Sequence, residues 1–167
     1  STSVYAHRFG SLIRAYQMVG FMPDRDYGYL EINRYLREMH PGVVRQTELS
    51  IQDLGGSVVR DPATGILDVN DEFTISIVLS RCHATEAGGK RWKIRFDTSL
   101  CPDITVAVRL NYENQSALDY YLLPRLDFGL DRLCLAESNA FELDSYRFDT
   151  LDYLYAMAER FRIRRAA

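Results

Sequence analysis

The apolar residues of this chain change their period at Ser57, and that change limits the fold more than any other feature. Before it they recur at helical spacing, in Phe9, Leu12, Ile13, Tyr16 and Val19, then in Ile32, Tyr35, Leu36 and Met39. A third stretch carries Val43, Val44, Thr47, Ile51 and Leu54. Gly20 with Pro23, Pro41-Gly42, and Gly55-Gly56 punctuate these stripes, so residues 1–56 read as N-terminal helices.

After Ser57 the period is two. Val58-Val59 and Ile66–Val69 flank Asp61-Pro62-Ala63-Thr64-Gly65, a hairpin pattern. Phe73, Ile75, Ile77 and Leu79 alternate with Thr74, Ser76, Val78 and Ser80. Trp92, Ile94 and Phe96 alternate with Arg91, Lys93 and Arg95. Two more strands follow, Ile104–Leu110 and Leu118–Leu123, mostly through tight turns. Asp149-Thr150-Leu151-Asp152 resembles a capping box opening a last helix, with Leu151, Leu154, Ala158 and Phe161 on one face. The expectation is an α+β fold: a mostly antiparallel sheet of five to six strands within 57–124, with N-terminal helices and a C-terminal helix packed on it. Residues 125–167 supply the C-terminal helical part, and 1–167 form a single domain.

Composition supports a folded chain: 47% of its 167 residues are hydrophobic and 26% charged. The formal charge of −3 excludes binding to nucleic acid or membrane through bulk charge and leaves only a local patch. No stretch reaches the length of a membrane span, and Ser1–Arg8 has no apolar leader core. Cys82, Cys101 and Cys134 are far apart and lack metal-ligand spacing; their odd number fits a reducing, cytoplasmic setting. The histidines, His7, His40 and His83, lie in separate segments without metal-binding neighbours. No nucleophile elbow, phosphate-binding loop or dinucleotide fingerprint is present.

Two carboxylates stand out. Pro102-Asp103-Ile104-Thr105 opens one strand, and Leu118-Asp119-Tyr120-Tyr121 begins the next. Converging carboxylates are what a Mg²⁺ ion needs to hold water and phosphate during phosphodiester cleavage, and Glu31 or Glu48 is available to complete such a site. The plainer reading makes Asp103 a turn residue and Asp119 the polar member of a half-buried strand or the partner of an arginine.

These residues resemble the restriction-endonuclease-like PD-(D/E)xK nucleases over some fifty to sixty positions. The resemblance implies Asp103 and Asp119 as metal ligands and catalytic groups. Tyr121 occupies the position of the motif lysine, so Lys93 or Arg95 would have to supply the missing cation. The stretches Arg8–Leu12, Arg37–Pro41, Pro102–Thr105 and Leu118–Pro124 also look like small alphaproteobacterial proteins labelled recombinase, which implies an association with DNA mobility.

A basic stripe is the second feature. Arg91, Lys93 and Arg95 share one strand face at steps of about 6.6 Å, close to phosphate spacing, with Arg81 and Arg109 expected on adjacent strands. The alternative is a solvated face balanced by neighbouring acids. The tail supplies Arg162, Arg164 and Arg165, either a phosphate-binding arm or a complement to the helix dipole. The expected function is a DNA-associated protein of a recombination or mobile-element context, with Mg²⁺-dependent cleavage carried by Asp103, Asp119 and Lys93 and with Glu31 as a further ligand. The alternative is a non-catalytic DNA-binding accessory or a homodimeric interaction module, for which surplus tyrosines such as Tyr27, Tyr29, Tyr153 and Tyr155 offer contact surface.

Overall fold

The computed structural model describes residues 28–161, with side chains from residue 32 onward. The chain divides into two compact units, residues 1–38 and 39–167. In the first, only the start of helix α1 (Gly28–Asp53) is described, with Arg34 and Glu38 paired at 3.3 Å one turn apart. The expected stripe from Phe9 to Val19 lies outside the described residues, as do Tyr27 and the tail arginines.

One helix replaces the two expected on either side of Pro41. Proline removes one backbone N–H from the helical ladder. The apolar stripe beyond it continues in register: Val44, Thr47, Glu48 and Ile51 are all buried at i, i+3, i+4 and i+7. The helix stops at Gly55, whose φ of +81° is the left-handed conformation that ends helices, and Gly55 and Gly56 donate to Gln52 and Ile51. Both glycines also admit the C-terminal segment: a Cβ on Gly55 would lie 2.5 Å from the Arg160 carbonyl, and one on Gly56 2.7 Å from that of Ala158.

Beyond α1 the strands are β1 (Val58–Arg60), β2 (Leu67–Val69), β3 (Phe73–Ser80), β4 (Cys82–Ala84), β5 (Lys90–Arg95), β6 (Ile104–Leu110), β7 (Ala117–Pro124), β8 (Arg132–Leu135) and β9 (Arg147–Phe148). Two short helices follow among the described residues, α2 (Phe141–Asp144) and α3 (Asp152–Ala158). The alternating runs found in the sequence are β3, β5, β6 and β7. They do not form one sheet. A six-stranded sheet runs β1-β2-β3-β6-β7-β9, antiparallel except where β3 and β6 run parallel, and a separate three-stranded sheet runs β4-β5-β8.

The two sheets share a core. Trp92, Ile94 and Leu135 from the small sheet meet Ala107, Tyr121 and Leu123 from the large one. The Trp92 indole donates to the Leu110 carbonyl at 2.8 Å, and the Ser80 hydroxyl to that of Lys93 at 3.0 Å, so polar bonds also fix the small sheet over the large one. On the opposite face of the large sheet lie the 39–53 part of α1 and α3, flanking a shallow groove with Tyr120. Because β6 is covered on both sides, it is buried from Thr105 to Leu110. Leu151, at the start of α3, and Leu154 and Ala158 within it are buried as expected, but Phe161 lies beyond the helix and is exposed. No side chain caps the start of α3; Thr150 instead bonds to both the backbone and the carboxylate of Asp152.

Candidate nucleic-acid interface

Strand pairing decides what the two candidate carboxylates can do. Arg109 and Asp119 face each other across β6 and β7, whereas Asp103 lies six residues before Arg109 and accepts the Arg125 amide at the other end of the pair. At ~3.3 Å per residue the two aspartates are about 20 Å apart, on the same face of the sheet but at opposite ends. One divalent ion requires oxygen ligands within ~2–2.6 Å, so Asp103 and Asp119 do not form the shared Mg²⁺ site expected from the sequence. Among the described residues no group of three His, Cys, Asp or Glu side chains converges.

Each aspartate has its own partners. Asp103 accepts from the Thr74 amide and hydroxyl at 2.8 and 2.9 Å and approaches Arg125 at 3.6 Å. The Thr74 amide, above all, holds the Asp103 carboxyl below its usual range. Asp119 is 1% exposed and takes a two-pronged contact from Arg109, at 2.7 and 2.6 Å, with Arg147 adding a third bond at 2.8 Å. The plainer reading of Asp119, as an arginine partner, is the one observed. Arg109, expected to bind nucleic acid, is therefore buried. It stacks 4.5 Å from the Trp92 ring and 5.1 Å from Tyr121, and it also donates to the Ala136 carbonyl. Burial, the largest single effect, lowers its pKa, but the hydrogen bond to Asp119 and the attraction of the Asp119, Tyr121 and Asp144 oxygens together outweigh it and the net shift is upward.

Tyr121, in the motif's lysine position, donates to Asp144 at 2.5 Å and accepts from Asn139 at 2.9 Å. Burial, then the bond to Asp144, push its hydroxyl up to about 12. Asn139 ties this network to the loop after β8 through the Ala136 amide, at 2.8 Å. Glu48 is held by two bonds from Arg60 at 2.8 Å, chiefly responsible for its lowered pKa, and the side chain of Glu31 lies outside the described residues.

The basic stripe on β5 is organised differently. Trp92 and Ile94 are buried while Arg91, Lys93 and Arg95 are exposed, so all three cations stand on the outer face of the small sheet. Lys93 thus points away from both aspartates, and the catalytic role expected for it has no geometric basis. The pairing places His83 opposite Arg91, Cys134 opposite Lys93 and Arg132 opposite Arg95. Directly paired residues share a face at about 4.5–5.5 Å between Cβ atoms, so Arg132 and Arg95 are like charges side by side, an arrangement that costs stability.

No carboxylate among the described residues pairs with the cations of this face. Arg45, Arg60, Arg109, Arg125, Arg147 and Arg160 each reach a carboxylate. Lys93, Arg95, Arg132 and Arg91 reach none; Arg91 instead donates to the Lys90 carbonyl. His83 sits beside them with its pKa lowered, first by burial and then by Arg81 and Lys93. Sequence reasoning passed over Arg132 and gave His83 no binding role. The alternation Arg132-Leu133-Cys134-Leu135 was the available signal for β8.

No protein-family model matches the chain, and no curated protein does. Among solved structures, a bacterial homing endonuclease, I-Ssp6803I, is similar over 70% of this chain and 89% of its own length, at 14% identity and a TM-score of 0.42. A superposition that loose lends no weight to either reading of the sequence. No helix among the described residues is long and apolar enough to cross a membrane.

Proposed function

We propose that this chain binds nucleic acid without cleaving it, through the outer face of the β4-β5-β8 sheet. The observation that carries the proposal is the concentration of Arg91, Lys93, Arg95 and Arg132 on one exposed face with no carboxylate partner among the described residues. A row of cations two residues apart steps along the strand at about 6.6 Å, which matches successive phosphates. Phosphate oxygens would relieve the Arg95–Arg132 repulsion, so the arrangement favours an occupied over an empty state. Placement of the activity in recombination or a mobile element draws only on the sequence resemblance.

Salt titration of binding to a labelled duplex tests this. About four phosphate contacts give a log–log slope between roughly −3 and −4, and each single Ala substitution at Lys93, Arg95 or Arg132 lowers its magnitude by about 1. A slope near zero, or one unmoved by these substitutions, refutes the interface. Plasmid incubated with Mg²⁺ or Mn²⁺ should stay supercoiled. Metal-dependent nicking abolished by Asp103→Ala would restore the nuclease reading.

A further inference from the structure

We propose that a cleft at the end of the basic strand receives one unstacked nucleobase, so that the protein prefers single-stranded nucleic acid to duplex. This rests on the reading of the small sheet as a phosphate-binding face. The cleft has a volume of about 470 Å³, within the range of small-ligand sites. Arg95 is both the last cation of the row and part of the cleft wall, so a strand following Arg91, Lys93 and Arg95 leads directly into it.

The chemistry of the lining selects the occupant. The lining holds one cation, Arg95, and one anion, Asp97, which do not pair, so the cleft has no net positive charge for a buried phosphate. Asp97 is also committed to its own turn, where one of its oxygens accepts from the Ser99 amide and hydroxyl and the Leu100 amide. The remaining polar lining is His40 and the hydroxyl residues Thr64, Ser76 and Thr98, beside the aromatic Phe96 and the apolar Ile77 and Val78. Hydroxyls that donate or accept, together with an aromatic wall, suit a flat, uncharged, hydrogen-bonding group. A nucleobase is that group, and its phosphate would remain at Arg95.

The backbone explains why the space is open. β2 pairs with β3 only as far as Ile75, so Ser76, Ile77 and Val78 line the cleft beyond the end of the shorter strand. His40 fills part of the gap, its Nε2 donating to the Ile77 carbonyl at 2.8 Å. A base in a duplex is paired and stacked, and extracting it costs a few kcal/mol; a single strand avoids most of that cost.

The test compares a labelled oligothymidylate with a mixed-sequence duplex of equal length, using the whole chain and its Thr98→Trp variant. Thr98 is exposed on a loop and lines the cleft, so a large side chain there fills the space without disturbing the core. Wild-type protein should bind the single strand about tenfold more tightly than the duplex. In Thr98→Trp that preference should disappear while duplex affinity is unchanged, which also reports that the variant is folded. Equal affinity for the two forms in the wild type, or a preference that survives Thr98→Trp, overturns the cleft assignment. In either case a salt-dependent affinity for both forms leaves the phosphate-binding face standing. Failure to bind either form overturns that face and the cleft together.

Discussion

Arg109 and Arg95 occupy equivalent places in alternating strands and have opposite fates. The polar side of β6 faces the second sheet, so Arg109 is enclosed between Trp92, Tyr121 and Asp119 and is 1% exposed. The polar side of β5 faces solvent, and Arg95 stands beside another arginine with no acid in reach among the described residues. A buried charge must find its counter-ion within the protein, because the lost hydration costs several kcal/mol. An exposed charge remains hydrated and is free to wait for an external one. The arginines of this molecule thus divide into a structural set and a set available to a ligand, and only the cross-strand partner separates the two.

The contrast is broken most severely at Asp119. Its replacement by Ala strands Arg109 in the core and removes a partner of Arg147, at a cost of about 3–5 kcal/mol. Urea unfolding should show this as a large fall in midpoint, whereas any folded fraction still binds DNA. Near-wild-type stability would mean that the pair is dispensable. The opposite pattern belongs to Lys93→Glu combined with Arg95→Glu. DNA affinity should fall by roughly 100-fold or more as like charges meet phosphate, while stability stays within ~0.5 kcal/mol because both sites are exposed. If unfolding shifts as far as binding does, the proposed division between the two sets fails.

Alkaline titration sharpens the buried side. Tyr121 is an acid whose folded pKa is raised from 10 to about 12, so the folded state keeps a proton that the unfolded state loses. Stability should therefore hold up to about pH 10 and fall between 10 and 12, by roughly 2–3 kcal/mol in total. Tyr121→Phe should remove that slope from the pH profile; an unchanged slope assigns it elsewhere. The smallest effect lies on the exposed side. His83 carries less charge near neutrality than an ordinary histidine, because burial, Arg81 and Lys93 lower its pKa. Acidification below pH 6.5 adds a cation opposite Arg91, strengthening DNA binding by about fivefold at most. His83→Gln should flatten that rise, and a wild-type affinity that does not change with pH would remove His83 from the interface.

Much of this molecule was legible in its chain. β3 and β5 were visible because alternate residues are the more buried set, and β6 and β7, covered on both faces over much of their length, because they are short, largely apolar runs bounded by turns. The outward face of β5 was legible from the same alternation. Short elements left weaker traces: β4 has three residues, β8 four and β9 two, too few for a period to stand out. Pro41 was a false boundary, because the loss of one backbone bond is smaller than the burial gained by continuing the helix.

Local periodicity determined which residues point inward or outward along a strand, since that depends only on the alternation of successive Cβ atoms. It could not determine what each face meets. The split into two sheets turned Arg109 from a surface cation into a buried one and brought Arg132 beside Arg95. The register of β6 against β7 placed Asp103 and Asp119 at opposite ends. Those outcomes depend on pairing between residues distant in sequence, and only the tertiary structure specifies it.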